Sequence, residues 1–514
     1  MEAHDGARGS VTRALRSPAL WVAAFGIALL WVRPPLPVDE TRYLEVFRES
    51  LARGPLLLTL SGEPYAEKPP LLFWLGRVLV AGGLPMAFAL RLVPVVSSAL
   101  VVALVARFAR RLELPLATPL AAVLLLPFLV GQMLLFDPLL SLGVWLALDG
   151  WVRGREAVLV VGAAVALLAK GPVALLVLAP FLWSFAPLRS APRPGVARSL
   201  GLFVLALVPL AAWALAAAHV GGPEFADALL WERWGGRLVK SADHARPWWF
   251  YAPVALFGAL PVTALLLRRA QSSSAAWIGR TRMAVLVLLL VFTLISGKQA
   301  HYLTPLAPAL ALLAAAELAR APRTAWLRAG LALELGLLGA VLLAALVLVP
   351  QRTGSFSAAG VEWLRGGTWR LTLLPGLVAL AWAGLRLRAL DVEPARVLRT
   401  SFVALALAAV GLHFVAGRLL YPARLAQGLA LDAATPLAFL GSSHHGFYEL
   451  AAGRSPLPKL GSPAEIAPWL AAHPAGRVLV DRSELAEAPP GTRELLRDRL
   501  HQSEILLLAR APRE

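Results

Sequence analysis

Long apolar runs recur along almost the whole chain, and short clusters of arginine separate them. This alternation constrains the fold more than any other feature. A helix needs about 20 predominantly apolar residues to cross a bilayer, and in lipid a helix satisfies its own backbone hydrogen bonds. With 58% hydrophobic residues in 514 and a mean hydropathy of +0.68, the chain has too little polar surface to cover a soluble core. A polytopic membrane protein needs only lipid outside. The net charge of +18 does not point to nucleic acid, because the arginines fall in patches between apolar runs, the positive-inside pattern. There is no cysteine, which excludes disulfides, thiol nucleophiles and thiolate metal sites.

Charge asymmetry orders the spans. Residues 1–17, with Arg8, Arg13 and Arg16, read as a cytoplasmic tail. Ala19–Val32 reads as the first span rather than a signal peptide, since no small-residue cleavage site follows and many spans do. Leu71–Val80 is too short to cross. Treating it as non-spanning places Arg107, Arg110 and Arg111, and every later arginine patch, on the cytoplasmic side. Later spans are expected at Leu90–Val105, Leu116–Leu134, Leu139–Val152, Leu200–Ala218, Trp249–Leu267, Ala329–Val349, Leu371–Leu385 and Phe402–Val415, with two more around the loop Ser296–Tyr302. Val158–Ala169 and Val173–Phe185 read as two spans broken by Lys170-Gly171-Pro172. The sum is about thirteen, with the N-terminus inside and the C-terminus outside. Asp39, Lys68, Asp137, Lys170, His244 and Lys298 then share one face, a convergence that was not used to choose the spans.

From Leu431 the pattern changes. Short apolar runs, Pro436–Leu440, Arg477–Val480 and Ile505–Leu508, alternate with the helical stretches Ala464–Ala472 and Thr492–Leu500. The expected fold class is an all-α polytopic membrane protein over 18–420, with 34–87 as its first outer loop, followed by a small α/β domain over 431–514 on the outer face.

Two charge clusters mark the first outer loop, Asp39-Glu40-Thr41-Arg42-Tyr43 and Tyr65-Ala66-Glu67-Lys68-Pro69-Pro70. Asp39 and Glu40 could act as a base or hold a sugar hydroxyl or a cation. They equally suit the first turn of an interfacial helix over 40–51, with Arg42 and Glu49 on its polar side. Lys68 is stiffened by two prolines and suits a lipid-linked phosphate or an ordinary lipid headgroup. Asp137 is an isolated acid between apolar spans, a site candidate or a solvated loop acid before Pro138. Only five of the 49 basic residues are lysines, so Lys170 and Lys298 draw notice, although a lysine near a membrane can simply snorkel. His244 and Arg246, beside Trp248 and Trp249, combine an acid or base with a guanidinium fork; the tryptophans also read as interface anchors. Lys298, His301 and Tyr302 face the same side, and His444-His445 reads as a loop. Acids, cations and aromatics at the outer surface suit transfer of a group from a lipid phosphate. The cations would neutralise the leaving phosphate and an acid would receive or orient the acceptor.

DETRY followed by SGEPYAEKPPLLFWL, AKGP at Ala169–Pro172, HARPWWFY at His244–Tyr251 and KQAHYLTPLAPALALL at Lys298–Leu313 resemble, in order, segments of the GT-C polyprenyl-phosphate-dependent glycosyltransferases. The nearest branch is the lipid A aminoarabinose transferase type, related to the dolichyl-phosphate-mannose protein mannosyltransferases. The resemblance covers roughly 18–420, and the C-terminal domain is similar too. Gly54–Leu60 reads GPLLLTL, without the Gly-Asp-Trp common there. The resemblance implies inverting transfer of one sugar from a polyprenyl-phosphate donor to lipid A, a glycolipid or a protein on the periplasmic face of a bacterial inner membrane. It implies Asp39 as the main catalytic carboxylate and Asp137 as the second acid. Lys68, Arg42 and Arg246 would hold the donor phosphate. Glu40, Tyr65, Glu67, Lys170, His244, Lys298 and Tyr302 would line the cavity. No cofactor is implied, and a divalent cation is left open. Besides donor and acceptor, the partners expected are membrane lipids. A carrier-lipid flippase with the same cavity is the alternative. It would be expected to show pseudo-symmetric halves, and none is visible in the sequence.

Overall fold

At Gly171 the backbone turns to φ +69°, a conformation open to glycine at no steric cost, and Pro172 brings no N–H to a helical ladder. The apolar stretch that begins at Glu156 therefore stops at Lys170 and restarts at Val173, as the sequence suggests. In the computed structural model the described residues are 17–230, 245–267, 275–320, 324–351, 353–388, 393–430, 434–485 and 487–512. Most of the expected tail, and His244, lie outside them. The chain divides into two compact units, one of 1–29, 66–339 and 376–409, the other of 30–65, 340–375 and 410–514.

The first unit is helical. Its centre is the antiparallel pair Asp137–Arg153 and Glu156–Lys170, joined through a left-handed Gly154. Small residues let the two helices touch. A Cβ on Gly143 would lie 2.4 Å from the Ala166 nitrogen, and one on Gly162 2.2 Å from the Ala147 nitrogen. Such close approach substitutes van der Waals packing for the hydrophobic drive that lipid does not supply. Trp145 is fully buried against Phe108, Phe181 and Phe185, and its indole N–H donates to the Pro305 carbonyl at 3.0 Å.

Among the described residues seven helices are long and apolar enough to cross a membrane: Met86–Leu112, Val196–Leu230, Ala276–Leu294, Ala300–Arg320, Thr324–Gln351, Thr368–Arg386 and Pro394–Leu420. The expected count of about thirteen requires shorter apolar helices, such as Pro18–Val32 and Val173–Leu188, to cross as well. Two expected spans are not continuous. Leu116–Leu134 breaks into Ala117–Val123 and Leu125–Val130, with the Leu125 N–H turned to the Leu260 carbonyl. Trp249–Leu267 becomes Tyr251–Gly258 and Thr263–Leu266, because Pro261 stands between them.

The second unit carries a five-stranded sheet. Residues Thr59–Leu60 and Glu63–Pro64 first form a small hairpin, β1 and β2. The sheet strands are β3 (Leu437–Leu440), β4 (Lys459–Leu460), β5 (Arg477–Asp481), β6 (Thr492–Leu500) and β7 (Ser503–Arg510), in the order β4-β3-β5-β7-β6. β3 runs parallel to β4 and β5, and β7 runs antiparallel to β5 and β6. One face packs Leu437, Phe439, Leu479 and Leu507 against Leu425, Leu429 and Phe447; the other packs Ala438, Val478, Val480 and Leu508 against Ile466 and Leu470. Strands covered on both faces read as unbroken apolar runs, which made β3, β5 and β7 visible in the sequence.

Thr492–Leu500 is a strand, not the expected helix. Its TRELLRDRL sequence suits a helix locally, but pairing with β7 from Thr492↔Arg510 to Leu500↔Ser503 overrides propensity. Helix Asp39–Arg53 does form, yet Glu49 is not on a solvated side. It is buried and accepts hydrogen bonds from the Thr59 and Ser455 hydroxyls and, at 3.0 Å, from the Gly62 N–H. Burial alone would raise its carboxyl; these bonds hold it below the usual range.

Candidate active site

Asp137 opens one helix of the central pair and Lys170 closes the other. Both suit the helix dipole, the acid at an N-terminus and the cation at a C-terminus. Because the helices are antiparallel and nearly equal, 17 and 15 residues, the two side chains return to the same end. Lys170 Nζ lies 2.5 Å from Asp137 Oδ1, and the Asp137 side chain is only 2% exposed.

A second segment completes the cluster. The 3₁₀ turn Ala300–Leu306 brings His301 Nε2 within 3.5 Å of Asp137 Oδ2. It also places the Tyr302 ring 4.1 Å from Lys170 Nζ, within cation–π range. Lys68 arrives from the loop ahead of helix Leu71–Ala81, its ammonium 5.9 Å from the ring of Phe136, the residue before Asp137. Asp137, Lys170, His301 and Tyr302, all singled out from the sequence, meet here, and Lys68 lies against Phe136.

Lys298 has a different role. It is buried, and its ammonium donates to the carbonyls of Arg246 at 3.3 Å and Ser296 at 3.4 Å. It clips the Arg246 backbone, while the Arg246 residue itself is exposed. Tyr251 accepts from the Gln299 N–H at 3.3 Å and donates to its carbonyl at 3.2 Å, steadying the segment that bears His301. Tyr251 closes the HARPWWFY segment, and nothing in the sequence signals this task. Glu67 is half-buried beside Lys68 in the chain.

Asp39, Glu40, Arg42 and Tyr65 lie in the second unit. Asp39 is half-exposed and pairs with Arg42 one helical turn on. Glu40 is buried and held by Arg33 through bonds of 2.5 and 2.8 Å, with a further bond from the Leu36 N–H at 2.7 Å. Sequence reading missed Arg33; the signal was its place before Pro34-Pro35, the same basic-Pro-Pro pattern that drew notice at Lys68. Tyr65 is buried, and its N–H donates to the Leu58 carbonyl at 2.8 Å.

Chemically, a buried carboxylate between an ammonium and an imidazole can orient or deprotonate a hydroxyl, while the cations offset charge developing on a departing phosphate. Among the described residues no group of three or more His, Asp or Glu side chains is arranged to hold a metal ion.

Fold and cluster together define a polytopic membrane protein with a buried acid–cation centre at a helix break. Within that class the chain resembles arabinosyltransferases. It is 32% identical over 308 residues to the undecaprenyl phosphate-alpha-4-amino-4-deoxy-L-arabinose arabinosyl transferase 1 of Sodalis glossinidius, covering 54% of each chain. It is 31% identical over 304 residues to the protein of the same description from Pseudomonas fluorescens, covering 54% of this chain and 52% of the relative. The chain spans about half the length of the curated relatives it matches. In three dimensions it is similar to the crystal structure of ArnT from Cupriavidus metallidurans bound to undecaprenyl phosphate, with a TM-score of 0.73 at 20% identity over 98% of this chain and 99% of that one. The apo ArnT structure gives a TM-score of 0.70. The shared fold agrees with the polytopic architecture and the C-terminal sheet expected from the sequence. No protein-family model matches the chain.

Proposed function

We propose that this chain is an inverting glycosyltransferase that moves one aminoarabinose-like sugar from a polyprenyl phosphate to lipid A or a related glycolipid. The observation that carries the reading is the Asp137–Lys170–His301–Tyr302 cluster, set in a fold similar to that of ArnT. The names of the similar proteins favour transfer over a carrier-only flippase.

In the step proposed, an acceptor oxygen bonds to the anomeric carbon while the bond from that carbon to the phosphate oxygen breaks. The electron pair leaves with polyprenyl phosphate, and Lys68 and Lys170 offset its charge. A phosphate acceptor arrives ionised and needs only orientation; a hydroxyl acceptor passes its proton to a carboxylate. Asp39 is assigned as the main carboxylate, Asp137 as the second acid, and Arg42 and Arg246 as further donor-phosphate ligands. The proposed location is a bacterial inner membrane, with the N-terminus cytoplasmic and residues 431–514 periplasmic.

The test is incubation of the purified chain with polyprenyl-phosphate aminoarabinose and lipid A, following free polyprenyl phosphate and acceptor mass by mass spectrometry. Wild type should release the carrier and add one sugar mass, and Asp39→Asn should do neither. Carrier binding without release across donors and acceptors would overturn the assignment.

A further inference from the structure

The opposite end of the central helix pair carries a second polar arrangement that the proposed reaction does not use. There the turn over residues 186–195 packs on the C-terminal ends of helices Met86–Leu112 and Asp137–Arg153. Arg111 Nη2 donates to the Leu188 carbonyl at 2.7 Å and lies 2.8 Å from Ser190 Oγ. Arg189 donates to the carbonyls of Trp151 at 2.7 Å and Pro192 at 3.1 Å, and stacks 4.2 Å from the Trp151 ring. The Ser190 N–H donates to the Val152 carbonyl at 2.8 Å. A Cβ on Gly154 would lie 2.5 Å from Ala191, which sets Arg155 beside the same turn.

Arg111 and Arg189 thus bond to neutral oxygens, and Arg189 stacks on a ring, so their positive charge is held in place without being cancelled. Two of the three nearby acids are engaged with other arginines: Asp149 pairs with Arg107 and Arg153, and Glu156 with Arg198. Arg155 and Arg193 are exposed. Across 107–113, 149–156 and 186–198 there are eight arginines against three acids. Fixed guanidinium forks of this kind match the oxygens of a phosphate.

The surroundings select the kind of phosphate. Trp183, Val196 and Leu200 flank the turn in the chain and are all exposed, so an apolar, lipid-facing surface begins where the arginines end. We infer that the turn over 186–195, with Arg111, Arg155, Arg189 and Arg193, seats the phosphodiester headgroup of an anionic diacyl phospholipid of the surrounding bilayer. This seat is independent of the sugar-transfer reading.

The test uses the full chain, purified from mixed phosphatidylglycerol and phosphatidylethanolamine micelles and examined by native mass spectrometry. Arg155→Gln/Arg193→Gln leaves the carbonyl-bonded Arg111 and Arg189 to keep the turn. It should cut retention of phosphatidylglycerol by about 30-fold, two charges' worth at a membrane surface. Arg365→Gln, an exposed arginine in another helix, should change nothing. Arg155→Lys/Arg193→Lys should retain most of the lipid, which separates charge loss from misfolding. Unchanged phosphatidylglycerol preference in the double Gln variant would overturn the inference. So would equal displacement of the lipid by millimolar inorganic phosphate, which would mark a site for soluble anions.

Discussion

Lys170 and Asp137 are separated by 33 positions in the chain, yet their side chains meet at 2.5 Å beneath the Tyr302 ring. Removing one member leaves a buried charge without its partner. Lys170→Met and Asp137→Asn should each lower kcat/KM for carrier release by about 10²–10³-fold. The double variant should be little worse than either single one, because the two act as a unit. Additive losses in steady-state kinetics would mean that they act separately.

The two neighbouring acids of helix Asp39–Arg53 should separate function from stability. Asp39 is half-exposed, and an exposed pair contributes about 0–1 kcal/mol. Asp39→Asn should therefore abolish transfer while leaving the melting temperature within a degree or two. Glu40 is buried with Arg33, and loss of one partner of such a pair costs about 3–5 kcal/mol. Glu40→Gln should lower the melting temperature markedly. Thermal scans paired with activity assays distinguish the two.

Glu45 gives the second unit a pH dependence. It is buried, and burial pushes its carboxyl up to about 8, against the pull of the Arg48 fork and with Glu49 and Glu449 adding to the rise. The unfolded chain gives up this proton near 4.5, so between about 4.5 and 8 the folded state holds the proton and the unfolded state does not. Stability therefore falls as pH rises through that window. Hydrogen exchange of helix Asp39–Arg53 in the full chain should show weaker protection at pH 8 than at pH 5.5, and Glu45→Gln should flatten the trend. Protection that rises with pH would contradict the assignment.

Glu334 stands on the buried face of helix Thr324–Leu348, in line with Leu327, Leu331, Leu338 and Leu342. It is 0% exposed, and its carboxyl oxygens have no hydrogen-bond partner among the described residues. A carboxyl in apolar surroundings without hydrogen bonds costs stability, and Leu is close to it in volume. Glu334→Leu should raise the melting temperature, by about 1–3 kcal/mol in stability. A drop with loss of activity would show that this acid has a task in the membrane.

The acid–cation centre was legible because its determinants are local. Lys170-Gly171-Pro172 ends a helix by backbone chemistry, and a pair of similar helices must then bring Asp137 and Lys170 to one end. His301 and Tyr302 were visible as polar residues in an apolar context. Other features rest on distant partners. Glu49 reads as solvated because Ser455, one of the groups that bond it, lies 406 positions away. Thr492–Leu500 shows charges at helical spacing and becomes a strand only because β7 follows and pairs with it.

That strand has a further consequence. β6 closes one side of the terminal sheet, leaving a nine-residue border that another chain could extend by strand addition. Arg493, Glu494, Arg497 and Arg499 crowd this border, and the register slips between Glu494 and Leu496. Charge and a bulge are the devices by which a sheet margin resists polymerisation. Copies confined to the same two-dimensional surface meet far more often than molecules in free solution. The stretch whose pattern suits a helix thus carries, as a strand, the charge and bulge that disfavour such pairing.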